Sequence, residues 1–343
     1  MLRKKKILDI DAVYTVNAFR NEAGFYIAAG SETGPEVTLY NMESGEKHPI
    51  PHLPGGMMGF VPIPGKPDLF ASIMGMFPPY NGRDAGIYLH TRMGTNWESG
   101  KALSLPFAFR CEILDTGGKP YLVVATLSQD ENEAGEGPVP GELHVIELQH
   151  CEIRKWKSTV VEGSIIGNHC MVRSRLEGRE VIYIAGQQGI FCLDRNGDDW
   201  VLKQVFYGEV REMAFIDLDG DGKEELVTLE PYHGDFLNIY KQEGANWEKR
   251  FSDSLASGQG LSAGIFDSEP LIVSGNRGAS RALEAFRGMD LIRGKAERMT
   301  IEESAGPART RIFSFNSEDY ILSANQIKNE VAIYTGSPGQ TSG

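Results

Sequence analysis

The sequence predicts an all-β protein, a seven-bladed β-propeller, and three observations lead to this fold. Glycine is frequent, with 40 among 343 residues, and with 17 prolines this composition is typical of a chain that has many tight turns. A multi-strand unit recurs with an average spacing of about 49 residues. The two ends of the chain carry incomplete and complementary pieces of that unit.

The recurring unit is a short apolar strand, a polar turn, a second strand that ends in small residues, a loop and a third alternating strand. Clear copies run from Tyr14 to Asn41, from Arg211 to Lys241 and from Arg309 to Thr335. The other copies begin near Met58, Arg110, Cys170 and Leu261. Since 343 residues hold about seven units of about 49 residues, the chain contains seven repeats.

Each repeat has the pattern of strands rather than helices. Residues Glu36 to Tyr40 alternate with period two, and β-branched and aromatic residues are enriched throughout. A fourth strand fits after the third in each repeat, as at Trp200 to Val205. Seven four-stranded sheets arranged radially form a seven-bladed propeller.

The termini predict how the ring closes. The last repeat ends after three strands, at Tyr334, while residues 4–10 form a strand before the first repeat. We therefore expect residues 4–10 to complete blade seven and protect its edge. Residues 1–343 are expected to form a single propeller domain, with 337–343 as a flexible tail.

Charge and hydropathy exclude several classes of protein. The net charge is −13, and the only basic cluster is Arg3 to Lys6, so we expect no nucleic-acid partner. The apolar run after that cluster is broken by Asp9 and Asp11, unlike a signal peptide, and no segment has the length of a membrane helix. The four cysteines lack metal-site spacing. We expect a cytoplasmic protein with no membrane association; the sequence does not define its oligomeric state.

The most specific motif is the acidic segment from Asp217 to Glu225, between the first and second strands of blade five. Carboxylates at relative positions 1, 3, 5 and 9 converge when glycines let the turn curl, and such oxygen ligands suit Ca²⁺ or, less readily, Mg²⁺. The candidate ligand set is Asp217, Asp219, Asp221, Lys223 and Glu225. Position 12 is Thr228, so the motif is not an EF-hand. The alternative is a solvated acidic turn without a metal.

The repeat topology places a second group of polar residues around one mouth of the central channel. The starts of the inner strands and the loops between second and third strands lie on the same face, opposite the Asp217 turn. Candidate catalytic residues there are Arg110, His169, His233 and Arg277. Candidate substrate-binding residues are Tyr80, Glu212, Tyr232, Asn276, Asn325 and Gln326. This composition is typical of a pocket for a polyhydroxylated or anionic small molecule, with groups for general acid and base chemistry.

Each of these residues also has a structural interpretation. His169 is equally typical of a hydrogen-bonded core histidine, His233 of a turn, and Arg110 and Arg277 of partners to nearby carboxylates. If His169, His233 and either Glu230 or Glu212 approached one another, a divalent transition metal such as Zn²⁺ would have a site at the mouth. Because these residues lie on different blades, their spacing does not decide this.

The acidic segment in its strand context resembles the FG-GAP/VCBS class of propeller repeats, whose turns read DxDGDGxxEL. Only blade five keeps the full pattern. The strings EPYHGD (Glu230 to Asp235), GNRGAS (Gly275 to Ser280) and SANQIKNEVAIY (Ser323 to Tyr334) are also similar to the propeller domain of aldos-2-ulose dehydratase. This second resemblance implies a carbon–oxygen lyase or an isomerase acting on a keto-sugar.

Three functions are therefore compatible with the sequence. The first is a cytoplasmic keto-sugar lyase or isomerase, in which His169 or His233 removes a proton next to a carbonyl that a metal or an arginine polarises. The second is a non-catalytic propeller that binds a protein or a glycan, since fold alone does not settle function. A polysaccharide lyase is the third and least favoured, because such substrates usually lie outside the cell.

Overall fold

The computed structural model describes residues 2–51, 53–77, 82–130, 139–148, 156–244, 246–278 and 280–336. Seven four-stranded antiparallel sheets follow one another along the chain, which confirms the seven-bladed propeller. Tyr80, a candidate substrate-binding residue, and Cys151, one of the four cysteines, lie outside the described residues, as do positions 337–343.

Blades one to three occupy the first half of the chain. Blade one comprises β2 (Val13–Asn21), β3 (Gly24–Ser31), β4 (Val37–Asn41) and β5 (Lys47–Pro49). Blade two comprises β6 (Gly59–Pro62), β7 (Leu69–Met74), β8 (Gly86–Met93) and β9 (Asn96–Ser104). Blade three comprises β10 (Ala108–Thr116), β11 (Lys119–Thr126), β12 (Gly141–Glu147) and β13 (Ser158–Ile165).

Blades four to six repeat this order. Blade four comprises β14 (Cys170–Leu176), β15 (Arg179–Gly186), β16 (Gly189–Asn196) and β17 (Asp199–Tyr207). Blade five comprises β18 (Glu212–Ile216), β19 (Glu225–Glu230), β20 (Phe236–Glu243) and β21 (Asn246–Ser254). Blade six comprises β22 (Gly258–Phe266), β23 (Glu269–Asn276), β24 (Leu283–Asp290) and β25 (Lys295–Glu302).

Blade seven combines both ends of the chain. It comprises β26 (Pro307–Phe315), β27 (Glu318–Asn325), β28 (Glu330–Thr335) and, as the outer strand, β1 (Arg3–Asp9). A short 3-10 turn at Gln326–Lys328 joins β27 to β28. The pairing of β1 with β28 confirms the predicted closure by an N-terminal strand. Because β1 covers β28, blade seven ends on the same kind of outer strand as the other blades.

Burial explains the pattern of apolar and polar residues in each blade. The second strands are packed between neighbouring blades on both faces, so β11 is buried from Tyr121 to Thr126. Outer strands have one exposed face, and β17 alternates between exposed and half-buried residues. Apolar clusters fill the spaces between blades; one of them packs Val227 and Leu229 of blade five with Ile272 and Phe286 of blade six. The core is therefore distributed around the ring.

Glycine permits close approach where the inner strands of blades six and seven meet. Gly260 has a φ of 72°, in the left-handed region, and a Cβ there would lie 3.3 Å from the Cα of Arg309. Any larger residue at position 260 would strain the backbone and push the two strands apart. This contact brings β26 and its arginines close to the channel axis.

Candidate functional site

The strand order places the predicted mouth residues on one face of the ring, which we call the mouth face. It consists of the loops between second and third strands and the connections from each outer strand to the next inner strand. Arg110 and Glu212 lie near the starts of inner strands β10 and β18, and His169 immediately precedes β14. Asn276, Arg277, Asn325 and Gln326 lie at the ends of β23 and β27.

Arg110 is buried and its guanidinium bonds to neutral oxygens from other blades. Nε donates to the carbonyl of His169 (2.7 Å) in blade four, and Nη1 donates to the carbonyl of Met58 (3.3 Å), which precedes blade two. Nη2 lies 3.5 Å from the hydroxyl of Tyr14 in blade one. Burial, followed by the nearby charge of Arg309, lowers the pKa of Arg110. The contacts of Arg110 therefore join four blades.

His169 is also buried, between the aromatic rings of Phe109 and Tyr232. The ring centroids lie 5.3 Å from Phe109 and 6.0 Å from Tyr232, and Nδ1 has no hydrogen-bond partner among the described residues. Burial lowers the pKa of His169 well below its usual value, and nearby arginines lower it further, so the imidazole is neutral. Tyr232 lies next to both His169 and His233, and His233 is exposed.

The position of Tyr232 depends on a glycine in the neighbouring blade. Gly167 has a φ of 64°, and a Cβ there would lie 2.9 Å from the Tyr232 ring. The connection before β14 can thus pack directly against this ring only because residue 167 has no side chain. Tyr232 thereby belongs to the contact between blades four and five.

A chain of polar contacts runs along the mouth face from blade one to blade five. Gln326 Nε2 donates to Glu32 (2.7 Å), and Arg277 donates to the side-chain oxygen of Gln326. Arg277 and Arg211 both donate to Oε1 of Gln259, at 3.0 and 3.2 Å. We call these five residues the rim chain. Its amide and guanidinium groups are bonded to other blades.

The remaining candidate residues make bonds that fix loops and strands. Glu212 is buried, and its Oε2 accepts a bond from the amide of Leu261 (2.7 Å) in blade six. Asn325 is buried and its Nδ2 donates to the hydroxyl of Tyr334 (2.9 Å). Asn276 accepts a bond from the amide of Gly278 within its own loop (3.1 Å). These side chains help to hold the mouth face together.

The histidines and carboxylates of the mouth do not converge on a metal position. Among the described residues, one group of three or more His, Cys, Asp or Glu side chains has its ligand atoms within 4.8 Å of one another, and it is Asp217, Asp219 and Glu225. The mouth residues considered for a transition metal are all described residues and lie outside that group. The geometry at the mouth therefore provides no three-residue ligand set.

The acidic segment forms a curled turn between β18 and β19, as the sequence predicts. Asp217 accepts bonds from the amides of Gly220 (2.8 Å) and Gly222 (2.9 Å), and Asp221 accepts one from Lys223 (2.9 Å). Glu225 is fully buried; one carboxylate oxygen accepts a bond from the amide of Leu218, and the other has no hydrogen-bond partner. These contacts turn the carboxylates toward one point.

A lysine that the sequence analysis did not single out lies at that point. The Lys241 ammonium, from β20, contacts Asp219, Asp221 (2.8 Å) and Glu225 (3.4 Å). Hydrogen bonds to Asp219 and Asp221 raise the pKa of Lys241, while burial raises that of Glu225. Lys241 lies a full strand away from the motif in the sequence, which explains why the motif alone did not reveal it. It supplies positive charge where a cation would bind.

Exposed aromatic side chains lie on the mouth face beside blades four and five. Tyr207, at the end of β17, is 78% exposed, and Phe236, at the start of β20, is 45% exposed. The two segments that carry them meet where the Tyr232 amide lies 3.4 Å from a carboxylate oxygen of Glu209. His233 is exposed in the same loop. We call Tyr207, His233 and Phe236 the aromatic patch.

Comparison with known proteins supports the fold. No family model matches the sequence, and no curated protein matches it either. The crystal structure of Sqt1 from Saccharomyces cerevisiae is similar, with a TM-score of 0.59 and 11% sequence identity. The match covers 95% of this chain and 84% of Sqt1. At this identity the similarity shows a shared fold: the chain is a β-propeller.

No helix among the described residues has the length and apolar character needed to cross a membrane.

Proposed function

We propose that this protein is a non-catalytic propeller whose mouth face binds a protein or glycan partner. This proposal rests on the bonding partners of the polar mouth residues, which belong to the protein itself. Arg110, Glu212 and the rim chain make bonds between blades, and His169 lies between two rings. Groups held in this way keep a surface rigid, and a rigid surface loses little entropy when it binds.

The aromatic patch supplies the contact chemistry. Exposed aromatic side chains on a rigid support are typical of the centre of a binding interface, where they bury a large area at a small entropic cost. Neighbouring Glu209 and Asp235 are exposed and would form a polar rim around such a contact. Aromatic rings also stack on sugar faces, so both a protein and a glycan remain candidates.

Co-purification from the native host tests this proposal. The wild-type protein should retain a defined partner, and a Tyr207→Ala/Phe236→Ala variant should lose it. Ile265→Ala/Ile292→Ala is the matched control because both isoleucines are exposed on the opposite face. A glycan array with the same three proteins separates a glycan from a protein partner. Equal retention by both double variants would contradict the proposal.

A keto-sugar lyase is the second candidate, and the neutral His169 favours it. Its neutral imidazole has an Nδ1 without a hydrogen-bond partner among the described residues, so this nitrogen is free to accept a proton. The sequence resemblance to aldos-2-ulose dehydratase suggests 1,5-anhydro-fructose as the first substrate to try. Turnover that His169→Gln abolishes in a folded protein would favour the enzyme. Absence of turnover in the wild type would favour the binding platform.

A structural Ca²⁺ in the Asp217 turn fits both functions and rests on the FG-GAP/VCBS-type resemblance. The converging carboxylates of Asp217, Asp219 and the buried Glu225 fit a hard cation, at the point that the Lys241 ammonium approaches. Asp221 and Lys223 complete the candidate ligand set, and Mg²⁺ is the alternative ion. The ion would fasten the turn between β18 and β19, remote from the mouth face.

A further inference from the structure

The central channel contains two arginines that form no ion pair with another described residue. Arg309 and Arg311 are alternate residues of inner strand β26, so both side chains project from the same side of the strand. Together with Arg110 and Glu112 of β10, they line one narrow part of the channel. Neither Arg309 nor Arg311 makes a hydrogen bond or an ion pair with another described residue. Their guanidinium donors are therefore available to a ligand in the channel.

The charges around this point do not balance. Arg110, Arg173, Arg309 and Arg311 provide four positive charges that act on the same neighbourhood, and Glu112, Glu180 and Glu212 provide three negative charges, which leaves an excess of one. Glu212 is already bonded to an amide of blade six, and the bonds of Arg110 go to carbonyls and a hydroxyl. Arg309 is half-buried and Arg311 is exposed to the channel, and like charges held close together there favour an anion between them.

A cavity of about 580 Å³ continues from the arginines toward the face opposite the mouth. Arg311, Glu112 and Arg173 line it, together with polar Asn17 and apolar Ile113. This volume is within the range of binding sites for small molecules. It is larger than the volume that a single oxyanion needs. The cavity therefore has room for an organic group next to the arginines.

We propose that the channel binds a small phosphate monoester, with the phosphate on Arg309 and Arg311 and the organic part in the adjoining cavity. A phosphate dianion matches the two guanidinium groups of Arg309 and Arg311, and each of them can donate two parallel hydrogen bonds to it. A monocarboxylate brings one negative charge for these two guanidinium groups. This site is separate from the aromatic patch, so its existence does not depend on the function proposed for the mouth face.

Calorimetric titration with inorganic phosphate and with glucose 6-phosphate tests the proposal. The wild-type protein should bind both, with the ester at least about tenfold tighter because of its additional contacts. Arg309→Met and Arg311→Met should each weaken binding about tenfold or more. Arg287→Met is the matched control, since Arg287 pairs with Glu297 on the outer part of blade six. It should bind like the wild type.

Glu112→Gln provides a test of opposite sign. Removal of this carboxylate should tighten phosphate binding, and high salt should weaken binding in every protein that binds. Arg309→Met is expected to fold, because Arg309 has no hydrogen bond or ion pair with a described residue to lose; circular dichroism checks this. The proposal is overturned if neither probe binds at about 10 mM, or if Arg309→Met, Arg311→Met and Arg287→Met bind alike. Binding of phosphate without any preference for the ester would overturn the role of the cavity.

Discussion

At the scale of single residues, Arg110 shows how the propeller uses a charge near the mouth of its channel. Its guanidinium reaches carbonyls that belong to blades three and four and to the chain before blade two. A polar side chain at the start of an inner strand can therefore be a tie between blades. The sequence alone leaves this use and a catalytic use equally open.

Arg110→Met should lower the free energy of unfolding by about 3 kcal/mol, because several buried carbonyls lose their donor. Urea unfolding measures this. Arg287→Met is the control; it removes an exposed ion pair and should change stability by less than about 1 kcal/mol. If Arg110→Met were as stable as this control, the structural role of Arg110 would be wrong.

His90 makes stability depend on pH. Its ring nitrogens lie 2.7 Å from the Ser72 hydroxyl and 3.0 Å from the Ser99 hydroxyl, and burial lowers its pKa to about 4. Since the unfolded pKa is about 6.5, the unfolded chain binds the extra proton first as the pH falls. Above pH 6.5 the neutral His90 therefore contributes roughly 3 kcal/mol to the free energy of unfolding. This contribution is lost as the pH falls toward 4.

His90→Asn tests this pH dependence, because asparagine can bond to the same hydroxyls and does not titrate. We expect a smaller loss of stability between about pH 6.5 and pH 4 than in the wild type. Chemical unfolding at a series of pH values gives the slope. An unchanged slope would show that His90 is not the group responsible.

At the scale of elements, β1 closes the ring through side chains as well as through backbone pairing. The Lys4 ammonium contacts Glu302 of blade six (2.6 Å) and Glu330 of blade seven (2.5 Å). Burial opposes the charge of Lys4, but the bonds to both glutamates outweigh it and raise the Lys4 pKa. This contribution is present below about pH 10.5 and is lost as the pH rises through the higher folded-state pKa.

Lys4→Met should destabilise the protein by about 1 kcal/mol, because the partly buried Glu330 loses its ammonium partner and Glu302 keeps only Lys328. Lys6→Met in the same strand is the matched control, since Lys6 is exposed and pairs with Asp9 within β1. Thermal unfolding of both variants measures the difference. Equal melting temperatures would contradict a special role for Lys4 in closure.

The turn of blade five predicts competition between a lysine and a cation. In Lys241→Met the carboxylates lose their internal positive charge, so the Ca²⁺-free protein should melt at a lower temperature and Ca²⁺ should bind about tenfold tighter. Asp217→Asn should weaken Ca²⁺ binding in either background. Calorimetry and melting with Ca²⁺ or with chelator measure both effects. The same Ca²⁺ affinity with and without Lys241 would exclude competition.

At the scale of the whole molecule, most of the fold could be predicted from the repeat period. Strand alternation is a local property, and the inability of the last repeat to complete itself identified β1 as its outer strand. The side-chain partners are different, because they join residues in adjacent repeats. Arg211 and Gln259 are 48 positions apart, and Arg277 and Gln326 are 49 apart.

Such partners depend on rotamers and on the exact approach of neighbouring blades, which no local pattern encodes. Topology placed Arg110, His169 and Arg277 on one face, but the carbonyl, ring and amide groups that they contact there required the structure. Lys241 was missed for the same reason. The alternation of Arg309 and Arg311 was readable as a pair facing one side, but the sequence did not reveal that neither forms a hydrogen bond or an ion pair with another described residue.

Photo-crosslinking tests the central claim, a binding platform on the mouth face, most directly. A crosslinking residue would replace Tyr207 on the mouth face or, as control, Ile292, which is 97% exposed on the opposite face. We predict a defined crosslinked species from position 207 alone, suppressed by excess wild-type protein but not by excess Phe236→Ala. Equal crosslinking from both positions, or none from position 207, would contradict the account.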